Sequence, residues 1–309
     1  MHTGTNASVA TRIGRQATPL RLDLDAPFDD LATLANRARD ASVVGLGSAT
    51  RQSHELSVLT HRVMRFLIEE HGFGSLALEG DEAASLDLDS YVRTGEGDPM
   101  AILAGARPFW RLAEILAAVR WIRARNERNP SNPVRVVHVA EQPREAMGQL
   151  AGSEDVERRV AQITIAWHEQ TGDRIVYWGG LAHTVNSLAR TVSLRSDDTA
   201  TGWNAGSYLR ERFGSGYVSI GLTFHHGSLP SPVEEPPADY VEAVLGAVGL
   251  ETFLLQVHSA WPDPVREWLD MPAKTRLIGP GTHELSGASL STWFDFVIHS
   301  RTVTPARFL

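Results

Sequence analysis

Three short stretches of this 309-residue chain each place side chains able to do chemistry at the end of an apolar run. GLGSATRQSHE carries Ser48, Arg51, His54 and Glu55 just after an apolar run, and LALEGDE carries Glu79, Asp81 and Glu82 just after another. The third, WGGLAHT, sets His183 behind a Gly-Gly turn. Neighbouring carboxylates raise one another's proton affinity, so a base can be found among Glu79, Asp81 and Glu82. Arg51 can hold a carboxylate, phosphate or sulfate group at the start of the helix that follows it, where backbone N–H groups already favour an anion. Each residue also has a plainer reading. Glu79 can be a satisfied structural anchor, Asp81 a helix cap, and Arg51 the ion-pair partner of either. The two readings of Arg51 are compatible, because a paired arginine can still be shared with a ligand. Glu79, Asp81 and His183 are therefore the candidate catalytic groups, and Arg51, Ser48, His54, Glu55 and Glu82 the candidate substrate contacts.

Other chemistries lack their residues. Gly-x-Ser-x-Gly, the elbow that exposes a nucleophilic serine, is absent. GLGSAT departs from a dinucleotide fingerprint at Thr50, where the third glycine belongs. His54-Glu55 is followed by LSVLT, so there is no His-Glu-x-x-His zinc motif. His54 and His61 can share a helix face but suit structural pairing or exposure better than a metal. No metal and no cofactor is expected. The chain has no cysteine, which excludes disulfides, thiolate metal sites and a cysteine nucleophile and is consistent with a reducing cytoplasm. A net charge of −8 without a basic block argues against nucleic acid as a partner, since phosphate neutralisation needs clustered Lys and Arg. No apolar run is long enough to span a bilayer. A small-molecule substrate remains.

These side chains need elements to position them. Residues 1–20 are polar and rich in Ser and Thr, and are expected to form a flexible tail before one α/β domain over 21–309. Pro27 opens a first helix. Ala41 to Leu46 is a buried strand, Leu56 to Leu67 have the spacing of an amphipathic helix closed by His71-Gly72, and Ser75 to Leu78 is a second strand. This is a strand-helix-strand unit, whose strand ends are where open α/β sheets bind ligands. Strands follow at VRVVHV (134–139), which presents His138 and Glu141, at RIVYW (174–178), at GYVSIGLTF, which ends at His225-His226-Gly227, and at FLLQV and FDFVIHS. Helical stretches separate them, so the fold expected is α/β, with a mainly parallel central sheet flanked by helices.

Gly45 to Gly80 resembles the erythromycin esterase family, whose signature runs roughly Gly-Glu-x-Thr-His-Gly, a following Glu, then Gly-Phe and a strand ending in Glu. Gly47, Thr50, Glu55, Gly72-Phe73 and Glu79 match it. FWRLAEILAAVRWIRARNE is similar to the family's Trp-containing helix, and VYWGGLAHTV to its Trp-x-His-Asn-x-His segment. The later blocks SYLRERFGSGYVSIGL and FDFVIHSRTVTPARFL fit as well. The presumed catalytic pattern is altered. Ser48 stands for the family's Glu, Arg51 for the His thought to activate water, Gln52 for Gly and Thr60 for Arg, while Gly180-Leu181 replace His-Asn. His183 and Glu79 remain.

With a permanent cation at position 51, the resemblance implies an esterase scaffold that has lost its water-activating base. The leading expectation is a non-hydrolytic enzyme or enzyme subunit of specialised-metabolite biosynthesis. It would catalyse ring closure of an aziridine-forming type, with Glu79 deprotonating an amine and Arg51 stabilising a departing anion. The alternatives are a degenerate partner of an active homologue and a residual ester hydrolase using His183 or His54. Only about one helix fits between Glu141 and Arg174. The resemblance therefore implies a reduced helical cap, and a homo- or hetero-oligomer with a homologous chain.

Overall fold

Ser53 and Gly72 bracket the central helix for reasons legible in their chemistry. The Ser53 hydroxyl accepts the Leu56 N–H at 3.2 Å, and Gly72 ends the helix at φ 68°. The computed structural model describes residues 2–80, 82–138, 154–187, 190–195, 198–279 and 281–309. From the N-terminus, α1 (His2–Gln16) leads into β1 (Thr18–Pro19), a 3-10 segment (Phe28–Leu34) and α2 (Ala35–Arg39). Next come β2 (Val43–Ser48), α3 (His54–His71), β3 (Ser75–Leu78), α4 (Glu82–Thr94), α5 (Pro99–Gly105), α6 (Ala113–Arg128) and β4 (Arg135–Val136). They are followed by α7 (Glu154–Thr171), β5 (Ile175–Gly180), α8 (Leu181–Thr184), β6 (Arg190–Arg195), β7 (Asp198–Gly202), α9 (Ala205–Phe213) and β8 (Tyr217–Ser228). The last elements are β9 (Pro232–Val233), α10 (Val241–Leu245), β10 (Thr252–Gln256), α11 (Asp263–Asp270), β11 (Thr275–Ile278), β12 (Thr282–Ser286), α12 (Leu290–Trp293) and β13 (Phe296–Val303).

The central sheet has nine strands among the described residues, in the order β1-β10-β13-β8-β2-β5-β3-β4, with β9 paired to β8. From β13 to β4 all neighbours are parallel, while β1, β10 and β9 join antiparallel. The mainly parallel sheet flanked by helices is as expected, and its apolar strands are buried on both faces. The strand-helix-strand unit differs from the expectation in one respect that matters for the site. β2 and β3 are not neighbours, because β5 is inserted between them, with Ser48 opposite Gly180 and Leu78 opposite Trp178.

Four further features depart from expectation. The N-terminal stretch expected to be a flexible tail is the helix α1. Val9, Ala10 and Ile13 recur on one face and are buried, and that face packs on α10 and α11, so apolar burial outweighs the polar composition. The first helix, expected from Pro27 onward, is a 3-10 segment followed by only five α-helical residues. A second sheet, β11-β12-β6-β7, arises from polar segments that carry little apolar signal. The third central strand is also shorter than VRVVHV suggested. It pairs at Arg135 and Val136, His138 lies just beyond it, and Glu141 lies outside the described residues.

Candidate functional site

The ends of β2, β5 and β3 lie side by side, and each delivers one charged residue to a common cleft. Arg51 follows β2, His183 sits in α8 directly after β5, and Glu79 follows β3. Glycine makes the convergence possible. A Cβ on Gly179 would stand 2.7 Å from the Glu79 carboxylate, and one on Gly47 would stand 1.8 Å from the Thr184 hydroxyl of α8. Neither approach tolerates a side chain.

A chain of alternating charge runs across the cleft. Arg51 Nη2 donates to Glu79 Oε2 at 2.6 Å, and the Gly180 N–H donates to the same oxygen at 2.6 Å. Glu79 Oε1 is 3.4 Å from His183 Nε2, while His183 Nδ1 is 2.7 Å from Glu157 Oε1. Glu157 in turn accepts from Arg190 Nη2 at 2.7 Å and, through its other oxygen, from the Ala205 N–H at 2.9 Å. The Arg51 guanidinium also lies over the rings of Phe109, 4.2 Å from the centroid, and Trp110, 5.1 Å away. Trp110 Nε1 donates to the Glu79 carbonyl at 3.1 Å, which fixes the aromatic shelf to the end of β3.

These neighbours set the protonation states. Burial works to neutralise Glu79, but Arg51 first, then His183 and the Gly180 N–H, outweigh it and lower its pKa to about 2. Burial likewise opposes a charge on His183. Glu157 and Glu79 overcome it and raise the imidazole above its ordinary value. The Tyr177 phenol, buried beside both carboxylates, is pushed well above its ordinary pKa, first by burial and then by those charges. Its hydroxyl has no hydrogen-bond partner among the described residues and stays protonated.

The cleft holds about 670 Å³, and its walls include Ser48, Arg51, Glu79, Tyr177, Glu157, His183 and Arg190. Arg107, Arg159 and His283 also line it, so four arginines face two glutamates. The second sheet contributes Arg190, Val192, Ala200, Leu277, Ile278 and His283 to one wall, and α7 contributes Val156, Glu157, Arg159 and Val160.

Of the residues singled out in the sequence, Ser48, Arg51, Glu79 and His183 share this cleft. His54 and Glu55 do not line it. The Glu55 carboxylate accepts the Thr304 N–H at 2.7 Å and the Thr304 hydroxyl at 2.5 Å, and His54 Nδ1 is 2.8 Å from Glu114 Oε1. Glu114 also accepts the Arg307 N–H. Both residues therefore secure the C-terminal segment against the start of α3. Asp81 lies outside the described residues, and Glu82 is the first residue of α4.

Glu157, Arg190 and Tyr177, which stand next to or on the charge chain, were not singled out in the sequence, and neither were Arg107, Arg159 and His283 on the cleft wall. Glu157 left a signal. It shares a helical stripe with Ala161, Thr164 and Trp167, all buried, so a carboxylate occupies an inward position of an amphipathic helix. Arg190 opens a polar strand, and Tyr177 sits within an apolar run, so neither stands out.

The erythromycin esterase family model matches residues 68–140 and 135–303, which is most of the chain. The chain belongs to the erythromycin esterase family. A curated relative, erythromycin esterase type II of Escherichia coli, is 28% identical over 103 residues, 33% of this chain and 24% of that protein. The match thus spans about a quarter of the relative's length. Among solved structures, a succinoglycan biosynthesis protein aligns with TM-score 0.79 and 20% identity over 99% of this chain and 100% of its own. A Bacillus cereus protein aligns equally well, with TM-score 0.79 and 20% identity over 98% and 99%. An erythromycin esterase mutant, EreC, in its open conformation aligns with TM-score 0.66 and 12% identity over 94% and 98%. At these identities the structures establish the shared fold. In this erythromycin esterase family member Arg51, Glu79 and His183 share one cleft.

Proposed function

We propose that this chain is a non-hydrolytic enzyme of the erythromycin esterase fold, acting on a small molecule that carries an amine and an anionic leaving group. One observation carries the reading. Arg51 is a permanent cation, and His183 lies between the Glu79 and Glu157 carboxylates, which raise its pKa above the ordinary value and favour the imidazolium. Water attack on an ester needs a neutral base near the water, and a protonated imidazole cannot serve. Cations set around a cleft instead favour the build-up of negative charge on a departing group.

Ring closure fits this distribution. The amine nitrogen attacks a carbon of the same molecule, the N–C bond forms, and the C–O bond to a sulfate or phosphate breaks with its electron pair leaving on oxygen. Arg51 and protonated His183 stabilise that oxygen. Glu79, ionised down to about pH 2, holds the substrate nitrogen by charge. The nitrogen gives up its ammonium proton to solvent before it attacks as the neutral amine, and the proton released on ring closure also passes to solvent. Holding the two reacting ends together supplies much of the acceleration. The setting, specialised-metabolite biosynthesis with an aziridine-type product, is part of the same proposal and rests on the sequence resemblance.

The test offers a β-amino alkyl sulfate or phosphate to the purified chain in 18O-labelled water. Inorganic anion and a cyclic amine free of solvent oxygen are expected, with activity lost in Glu79→Gln. An alcohol product, with 18O either in the alcohol or in the released anion, would identify a hydrolase instead. A second reading, a stabilising partner for an active homologue, draws on Glu79 already being satisfied by Arg51 and Gly180. Turnover by the lone chain would remove that reading, whereas turnover only after addition of the homologue would support it.

A further inference from the structure

The fifth strand in sequence ends at His225-His226-Gly227, and the structure gives that ending a distinct geometry. Successive side chains of a strand normally point to opposite faces. Here the Nδ1 atoms of His225 and His226 face each other at 2.9 Å, with the two rings nearly perpendicular at 86°. Gly227 follows at φ 144°, and a Cβ there would meet the Val303 carbonyl oxygen at 2.1 Å. β8 then folds back into β9, pairing Gly227 with Val233 and Ser228 with Pro232. Continuing that register sets Glu235 across from His225. One carboxylate oxygen of Glu235 and one nitrogen from each histidine all lie within 4.8 Å of one another.

The surroundings hold this trio in place. Arg276 is buried, and its guanidinium donates to the carbonyls of Phe224 at 3.1 Å, His225 at 2.5 Å and Glu234 at 2.9 Å. One side chain thus ties the backbone under His225 to the backbone just before Glu235. The His225 ring lies against Gly246, where a Cβ would come within 2.0 Å of Cδ2. The pair of facing nitrogens needs a proton or a cation between them. None of the three residues lines the Arg51–Glu79 cleft.

We propose that His225, His226 and Glu235 bind one divalent transition-metal ion of the zinc or cobalt type, through two imidazole nitrogens and one carboxylate oxygen, with water completing the shell. Two imidazoles and a carboxylate suit such ions, whereas calcium and magnesium favour all-oxygen sets. Nitrogen ligands about 2.0–2.1 Å from a tetrahedral ion stand about 3.3 Å apart, so the imidazoles need to separate by only a few tenths of an ångström. The ion would clasp the hairpin end to the sheet at a place separate from the cleft, so this site stands or falls independently of the reaction proposed above.

The test uses untagged full-length protein, freed of metal with a chelator and titrated with Zn2+ by calorimetry and with Co2+ by visible absorption. One ion per chain is expected, with a cobalt spectrum of low coordination number. His226→Ala and Glu235→Gln should each weaken zinc binding by roughly tenfold or more, with far-UV circular dichroism unchanged. Both replace half-exposed or exposed side chains, so the fold should survive them. Failure of the wild type to bind, or equal stoichiometry and affinity in both variants, would overturn the assignment.

Discussion

Two arginine-carboxylate pairs, similar on paper, serve opposite ends in this molecule. Arg62 on α3 is fully buried and spends its donors inside the protein: two bonds to Asp30, at 2.8 and 3.0 Å, and others to the carbonyls of Arg21 and Pro27. Arg51 makes one bond to Glu79, rests its face on Phe109 and Trp110, and lines an open cleft. The first pair closes a turn of the chain over the central helix. The second keeps a cation aimed into a space that a substrate can enter. An ion pair is therefore read by where the remaining donors go, and residue types alone do not distinguish the two.

The comparison is sharpest in stability measurements. Arg62→Ala leaves the Asp30 carboxylate buried without its main partner and should cost about 3–5 kcal/mol in urea unfolding. Arg51→Met should cost less, about 1–3 kcal/mol, because Glu79 keeps the Gly180 N–H and His183. It should also abolish the rise in melting temperature that millimolar sulfate or phosphate gives the wild type. Equal losses of stability, or an anion response that survives Arg51→Met, would break the distinction.

Acid extends the comparison to smaller effects. Burial tends to raise Asp30, but Arg62 and Arg21 outweigh it and lower its pKa, and Glu79 lies at about 2. Both carboxylates thus stay ionised well below neutrality, and what they contribute is lost only as the pH falls through their depressed values. Stability should begin to fall elsewhere. His61 and His299 are buried, and burial lowers each to about 3. Their unfolded forms take up protons near pH 6.5 while the folded forms do not. Stability should therefore decline from about pH 6.5 downward, by about 1.4 kcal/mol per pH unit for each histidine. His61→Leu should flatten the profile of melting temperature between pH 6.5 and 4, and an unchanged profile would remove His61 as a cause.

Much of the scaffold was legible in the sequence. Apolar runs marked β2, β3, β5 and β8, and His71-Gly72 marked the end of α3, because short-range periodicity and capping chemistry leave local traces. Strand order leaves none. That β5 slips between β2 and β3 is a long-range fact, and it is what brings His183 within reach of Glu79. The second sheet was missed because RTVSLR and DTATG are short and largely polar, although Val192 is buried. His54 and Glu55 sat beside the right turn in sequence, yet the first turn of α3 directs them to the C-terminal segment instead. Glu157 was readable as a carboxylate on a buried stripe, but its partner His183 lies 26 residues away, beyond the reach of pattern.

The central claim is that Glu157 and Glu79 raise the pKa of His183 above its ordinary value, which disfavours the imidazole as the base for water. Its most direct test is an NMR pH titration of 13C,15N-labelled His183, assigned with His183→Gln, in the wild type and in Glu157→Gln. The wild-type pKa should lie above 6.5 and should drop when the Glu157 carboxylate is removed. A wild-type value at or below 6.5, unchanged in Glu157→Gln, would contradict it and restore a neutral base to the site.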